Sequence, residues 1–163
     1  MGTSYTFDGS IHINPPLNFV QIQQAKKIAM ESLRAGFDRK HANEDNVFEG
    51  YMPLKPHLVK TEKTTDEGVL TVIQATDLVP SHPDQGSLSY DMGDLLYRLT
   101  QAFPENQFHG TVIALREDGV NAVKLVVKAA KKGQPSAVQQ TDGWTHIHWD
   151  DQSEPTKIYD LTF

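Results

Sequence analysis

Residues 5–34, YTFDGSIHINPPLNFVQIQQAKKIAMESLR, decide the fold. Tyr5, Phe7, Ile11 and Ile13 alternate with polar residues, interrupted at Gly9, which is the pattern of a half-buried strand with a bulge at Asp8-Gly9. Pro15-Pro16 is expected to end it, because proline cannot donate to a central ladder. Asn18 then reads as a helix N-cap with Gln21 three residues on, a capping box, while Leu17 and Ile22 stand at hydrophobic-staple positions. Phe19, Ile22, Ala25, Ala29 and Leu33 recur at helical spacing, so a helix is expected over 18–34, with Gly36 placed to stop it.

The polar, aperiodic stretch Phe37 to Asn46 reads as an exposed connection. Strand character resumes in Val47 to Met52 and in Val69 to Val79, with Leu54 to Val59 a further strand made irregular by Pro53 and Pro56, and Thr61 to Gly68 a hairpin tip. Met92, Leu95, Leu96, Leu99 and Phe103 form one stripe, predicting a second helix over 90–103 with Ser89 as its cap and Pro104 closing it. The remainder is β: Phe108 to Leu115, Val120 to Ala130, Ser136 to Gln140 continuing through Trp144 to Trp149, and Lys157 to Phe163. Turns are expected at Glu117-Asp118-Gly119, Lys132 to Pro135 and Asp142-Gly143. Short turns between consecutive strands make the sheet antiparallel. The expected fold is therefore one α+β domain over 1–163, an antiparallel sheet with two helices on one face, ferredoxin-like with extra strands.

Length and composition agree with a single folded domain. A chain of 163 residues buries roughly 68–70% of its unfolded surface. Apolar residues make up 38%, charged residues 22%, and the mean hydropathy is -0.47, so disorder is not expected. No apolar run approaches the ~18–20 residues of a transmembrane helix, and Met1 to Ser10 lacks the basic start and apolar stretch of a secretory signal, so a cytoplasmic protein is expected. The absence of cysteine excludes disulfides, thiolate metal sites and cysteine nucleophiles. A net charge of -6 with a pI near 5.6 argues against delocalised binding to nucleic acid or anionic lipid. Locally, Asp142, Asp150, Asp151, Glu154 and Asp160 make the C-terminal stretch acidic, while Lys124, Lys128, Lys131 and Lys132 form a small basic ridge that suits a solvated sheet edge.

The most suggestive chemical string is Trp144-Thr145-His146-Ile147-His148-Trp149-Asp150. Strand alternation puts His146 and His148 on one face beside Trp144, where two imidazoles can share a metal. A catalytic zinc site needs a third protein ligand, and His12, His41, His57, His82 and His109 offer no characteristic spacing. The simpler reading sends Ile147 and Trp149 to the core and leaves the histidines solvated. No phosphate loop, dinucleotide fingerprint, serine elbow or zincin helix is present. Asp91 and Asp94 fit the macrodipole of a first helical turn, Glu117-Asp118-Gly119 fits a hairpin turn, and Phe108 beside His109 fits the core better than a base-stacking platform.

Ile11-His12-Ile13-Asn14-Pro15-Pro16-Leu17-Asn18-Phe19, Thr65-Asp66-Glu67-Gly68-Val69-Leu70-Thr71 and Ala102-Phe103-Pro104-Glu105-Asn106-Gln107-Phe108-His109-Gly110 together resemble a family of small proteins of actinobacteria and their phages that carries a domain of unknown function. The resemblance runs over residues 5–150 as an ordered series of short matches. It implies a phage accessory protein acting inside a bacterial cell, against host machinery or host defence, and it supplies no catalytic residues; His146 and His148 fall where that family has other residue types.

The sequence thus leads to a non-enzymatic protein-binding accessory protein without a cofactor, working through a protein partner or self-association. The expected contact is a sheet edge or the sheet face opposite the helices, with Trp144 as anchor and His146 and His148 beside it. The alternatives are a binder that sequesters a nucleotide or other small anionic ligand at Lys124, Lys128 or Arg116, and a metal-dependent enzyme using His146 and His148 with Asp150. If Lys157 to Phe163 folds back over Trp144, the anchor is lost.

Overall fold

A computed structural model describes residues 4–36, 41–84, 86–87, 92–116, 121–149 and 155–160, and from residue 141 onward it describes the course of the chain alone. Strand β1 (Ser4–Leu17) leads into helix α1 (Phe19–Gly36). A long hairpin follows, β2 (Leu54–Thr65) and β3 (Gly68–Pro80), then the short β4 (Gly86–Ser87) and helix α2 (Met92–Ala102). Strands β5 (Gln107–Arg116), β6 (Asn121–Lys128), β7 (Ala137–Trp149) and β8 (Pro155–Asp160) complete one eight-stranded sheet in the order β2-β3-β1-β5-β6-β7-β8, with β4 beside β1. Every pairing is antiparallel. The expected α+β class holds.

The core lies between one face of the sheet and the two helices. Phe7, Ile11 and Ile13 on β1 oppose Ala114, Gly110 and Phe108 on β5, and Leu125 and Val127 continue that face on β6. Ile22, Ala25, Ala29 and Leu33 of α1 and Met92, Leu95, Leu96 and Leu99 of α2 close over it, all buried. The helices touch each other through Ser32, whose hydroxyl donates to Asp94 Oδ2 at 2.6 Å, and α2 meets β7 where Gly93 N–H donates to Gln140 Oε1 at 3.0 Å. The other face of β1, made by Thr6, Asp8, Ser10, His12 and Asn14, is exposed.

The capping box forms as its residues dictate: Gln21 N–H donates to Asn18 Oδ1 at 2.9 Å and Asn18 N–H to Gln21 Oε1 at 3.0 Å. Five expectations are corrected. Pro15-Pro16 does not end β1, which runs on until Leu17 opposes Ala75; the register shifts between His12 and Leu17, and the buried Asn106 amide takes the two proline carbonyls. Val47 to Met52 is no strand but a wide helical turn (Val47–Tyr51) closed by Met52 N–H on the Val47 carbonyl at 3.0 Å. Asn43 starts that turn by accepting from Asp45 and Asn46 N–H, and it buries the consecutive pair Val47 and Phe48. Asp142-Gly143 is not a turn, since Val123 and Ala122 pair with these residues inside β7. Finally, the hairpin tip is only Asp66-Glu67, because Thr65 already pairs with Gly68. Phe19 also leaves the helical stripe, standing 53% exposed at the start of α1. Ser89, Asp91, Glu117 to Gly119 and Asp150 lie outside the described residues.

Candidate functional site

Two features of the described surface go beyond what packing requires. The first is the distal part of the β2–β3 hairpin. β1 accompanies β3 only as far as Leu17 opposite Ala75, so from Gln74 to Gly68 the strand has β2 as its sole neighbour among the described residues. The seven pairs from Val59↔Gln74 to Thr65↔Gly68 extend about 23 Å as a two-stranded arm. Every residue from His57 to Thr71 is exposed. An isolated two-stranded hairpin is marginally stable in water, yet this one carries Val69 at 65% and Leu70 at 54% exposure, with Leu58 and Val59 at its root. Phe19 and Val20 open α1 two residues beyond the Leu17↔Ala75 pair, at the same root. Of the large apolar side chains exposed among the described residues, only Tyr97 lies away from this end.

The second feature is a row of side chains across the open face. His57 opposes Asp77, Asp77 opposes His12, and His12 opposes His109, so successive positions on β2, β3, β1 and β5 carry three imidazoles and a carboxylate. His12 Nδ1 lies 3.2 Å from Asp77 Oδ1, with the His12 side chain 48% exposed. A carboxylate only accepts, so the His12 Nδ1 carries the proton in this hydrogen bond. The His12 and His109 rings stand 5.1 Å apart between centroids, at 66° to each other. Among the described residues no three or more His, Asp or Glu groups gather into a metal cage. The sequence contains this row without displaying it, because positions 12, 57, 77 and 109 become neighbours only through strand order and register.

The helical layer holds one polar cluster of its own. Asp94 accepts from Ser32 and, at 2.8 Å, from Arg98 Nε. Partial burial pushes its carboxyl upward, but the Ser32 hydroxyl and the Arg98 guanidinium together hold it below the ordinary aspartate value. This cluster ties α1 to α2.

Two small cavities are lined by described residues. One, of about 110 Å³, lies at the arm root beside Leu58 and Phe48 and mixes Glu44, Asp45 and Glu49 with Lys26 and Lys55. The other, of about 280 Å³, runs along Thr6, Asp8 and Ile113. Both fall below the ~300–1,000 Å³ of drug-sized ligand sites.

Of the residues singled out from sequence, Trp144 lies on β7 opposite Asn121 and Asp160, while His146 and His148 oppose Ile158 and Thr156; their side chains lie outside the described residues. Lys124 and Lys128 stand on β6 and Arg116 at the end of β5, with Lys128 exposed. Phe108 is fully buried and His109 exposed, as the core reading of that pair requires. No helix among the described residues is long and apolar enough to cross a membrane. Comparison with known proteins finds no matching family model, no matching curated protein and no matching solved structure.

Proposed function

We propose that this protein is a non-catalytic accessory protein that works by protein association, and that the arm formed by β2 and β3 pairs with the same arm of a second copy. The observation that carries this reading is the distal arm itself, exposed from His57 to Thr71, which gathers exposed apolar side chains at one end of the molecule. β2 is the edge strand of the sheet, so its outer backbone groups are unpaired among the described residues.

The register within β2 favours a second copy as the occupant. Thr65 and Gly68 close a two-residue hairpin, so Thr65 turns its backbone groups inward and residues 64, 62, 60 and 58 turn theirs outward. Antiparallel pairing of two β2 edges must match outward groups with outward groups. A two-fold axis at Thr61 does so and sets Lys60 opposite Glu62 of the second copy, twice. Axes at Lys60, Glu62 or Lys63 instead oppose like charges across the axis. One register is thus both hydrogen-bond competent and charge-complementary, and the joined arms share exposed Leu58, Val59, Val69 and Leu70.

The succession β1-α1-β2-β3-α2-β5, with spatial order β2-β3-β1-β5, supports reading the frame as ferredoxin-like, extended at one edge by β6, β7 and β8. In that frame the arm is an elongation of an ordinary hairpin beyond the sheet that the helices cover, which is the placement an assembly element needs.

Sedimentation equilibrium tests the proposal. The wild type is expected to self-associate at micromolar concentration, Glu62→Lys to raise the dissociation constant about tenfold, and the exchanged pair Lys60→Glu/Glu62→Lys to restore it. A wild type that stays monomeric at 100-fold higher concentration than about 1 μM, or an exchanged pair no better than the single change, overturns it.

A further inference from the structure

The geometry points to His12 and His109 as a two-histidine chelate for a first-row transition-metal ion on the open face of the sheet, with Asp77 as the carboxylate that orients His12. This site is independent of the arm: its two ligands lie on β1 and β5, and Asp77 stands on β3 within the sheet, outside the distal arm.

Three observations support it. First, the hydrogen bond to Asp77 keeps the proton of His12 on Nδ1, so in the neutral ring Nε2 holds a free lone pair, the form that ligates metals. A carboxylate behind a ligating imidazole is the usual outer-shell partner and raises its basicity. Second, the spacing suits the ion. With bonds of about 2.0–2.1 Å to nitrogen, a tetrahedral metal lies about 3.2 Å from each ring centre, which sets two ligating rings roughly 5.2 Å apart. The His12 and His109 centroids are 5.1 Å apart and their planes cross at 66°. Third, the pair rests on a stiff support: residues 12 and 109 are direct partners in a ten-pair ladder between β1 and β5, the two central strands. The backbone therefore fixes the separation before any metal arrives.

Asp77 is already engaged by His12, and His57 stands on its far side, two strands from His12. At about 4.8 Å per strand, His57 is too far to share an ion with His109. Two protein ligands leave the remaining positions to water or to a donor group on whatever lies against this face. Imidazole ligands and open positions suit Zn²⁺, Ni²⁺ or Cu²⁺ rather than Mg²⁺ or Ca²⁺.

Isothermal titration of the full chain with zinc chloride and with nickel chloride tests the assignment, with His146→Gln/His148→Gln as the background so that the His-x-His string cannot contribute. One equivalent is expected to bind in that background. His12→Gln and His109→Gln are each expected to weaken binding by at least about tenfold, and Asp77→Asn by about 10–100-fold, since asparagine can donate to Nδ1 and move the imidazole proton to Nε2. Magnesium chloride is expected to give no heat. Unchanged thermal midpoints in the absence of metal show that the variants are folded, because His12 and His109 are exposed and Asp77 is only partly buried. Failure of the background protein to bind zinc or nickel at 1 mM overturns the assignment, as does a His12→Gln/His109→Gln variant that binds as tightly as its parent.

Discussion

The carboxamide of Asn106 donates to the Pro15 carbonyl at 2.8 Å, joining residues 91 positions apart in the chain. The same side chain reaches Pro16 and accepts from Gln21 Nε2 at 2.9 Å, so one buried group satisfies the corner where β1 gives way to α1. Two consecutive prolines supply no N–H there, and their carbonyls need a donor from elsewhere. Asn106→Leu, close to isosteric, is expected to lower stability by about 1–2 kcal/mol in urea unfolding, because it leaves the part-buried Pro15 and Pro16 carbonyls and the Gln21 amide without this partner.

Gly9 and Gly110 form a reciprocal close approach. A Cβ on Gly9 would strike the Thr111 carbonyl, one on Gly110 would strike the Ser10 carbonyl, and both glycines hold positive φ, at 102° and 148°. Gly68 shares the positive φ, at 132°, yet nothing lies within 4 Å of its missing Cβ. Alanine at 68 is expected to cost about 1 kcal/mol from backbone strain alone, and at 9 or 110 at least about 3 kcal/mol, because the ladder must also part. Denaturant midpoints of the three variants separate the two contributions.

Asp94 makes part of the stability depend on pH. Its carboxyl is held below the ordinary aspartate value in the folded state, so the contribution is complete above the unfolded value of about 3.9 and is lost as pH falls through the lower folded value. Asp94→Asn is expected to flatten the acid limb of the stability profile in that window and to lower the neutral-to-alkaline limb by a constant amount without changing its shape. Ser32→Ala removes one of the two supports and is expected to cost about 1 kcal/mol at pH 7. Urea midpoints between pH 2 and 8 check both.

The cap on α1 is doubly used, since Gln21 both closes the box with Asn18 and holds Asn106. Asn18→Ala is expected to cost about 1 kcal/mol. Gln21→Glu keeps the acceptor for Asn18 N–H but loses the donor to Asn106, so its cost is expected to vanish in the Asn106→Leu background, a coupling that a double-mutant cycle reads directly.

Legibility in the sequence followed the range of the interactions concerned. The capping box and the stripe Met92, Leu95, Leu96, Leu99 and Phe103 are written within a few residues, and they appear as expected. Pro15-Pro16 misleads because the donor that lets β1 continue is Asn106, far along the chain. Val47 to Met52 misleads because a β-rich composition is overridden by the Asn43 and Asn46 side chains, which wind the backbone so that adjacent Val47 and Phe48 are both buried. Asp142-Gly143 is a strong turn signal, yet β6 continues past it and holds both residues in register. The histidine row was hidden for a different reason: it depends on the order β2-β3-β1-β5, in which no two neighbours except β2 and β3 are consecutive in the chain.

That same order imposes a schedule on synthesis. β1 is made before the strands that flank it, and its ladder with β5 closes at Tyr5 opposite Arg116. At about 5–20 residues per second, a ribosome needs roughly 5–20 s to deliver the missing partner. Through that interval the β5 side of β1, with Phe7, Ile11 and Ile13 on one face, stays unpaired in a crowded cell even after β3 has been made. The hairpin of β2 and β3 needs no such wait, so the arm can exist before the sheet it belongs to. Nascent chains therefore meet their greatest risk of mispairing at β1, and a holdase that shields the first segment should raise the yield of folded protein more than one acting after release.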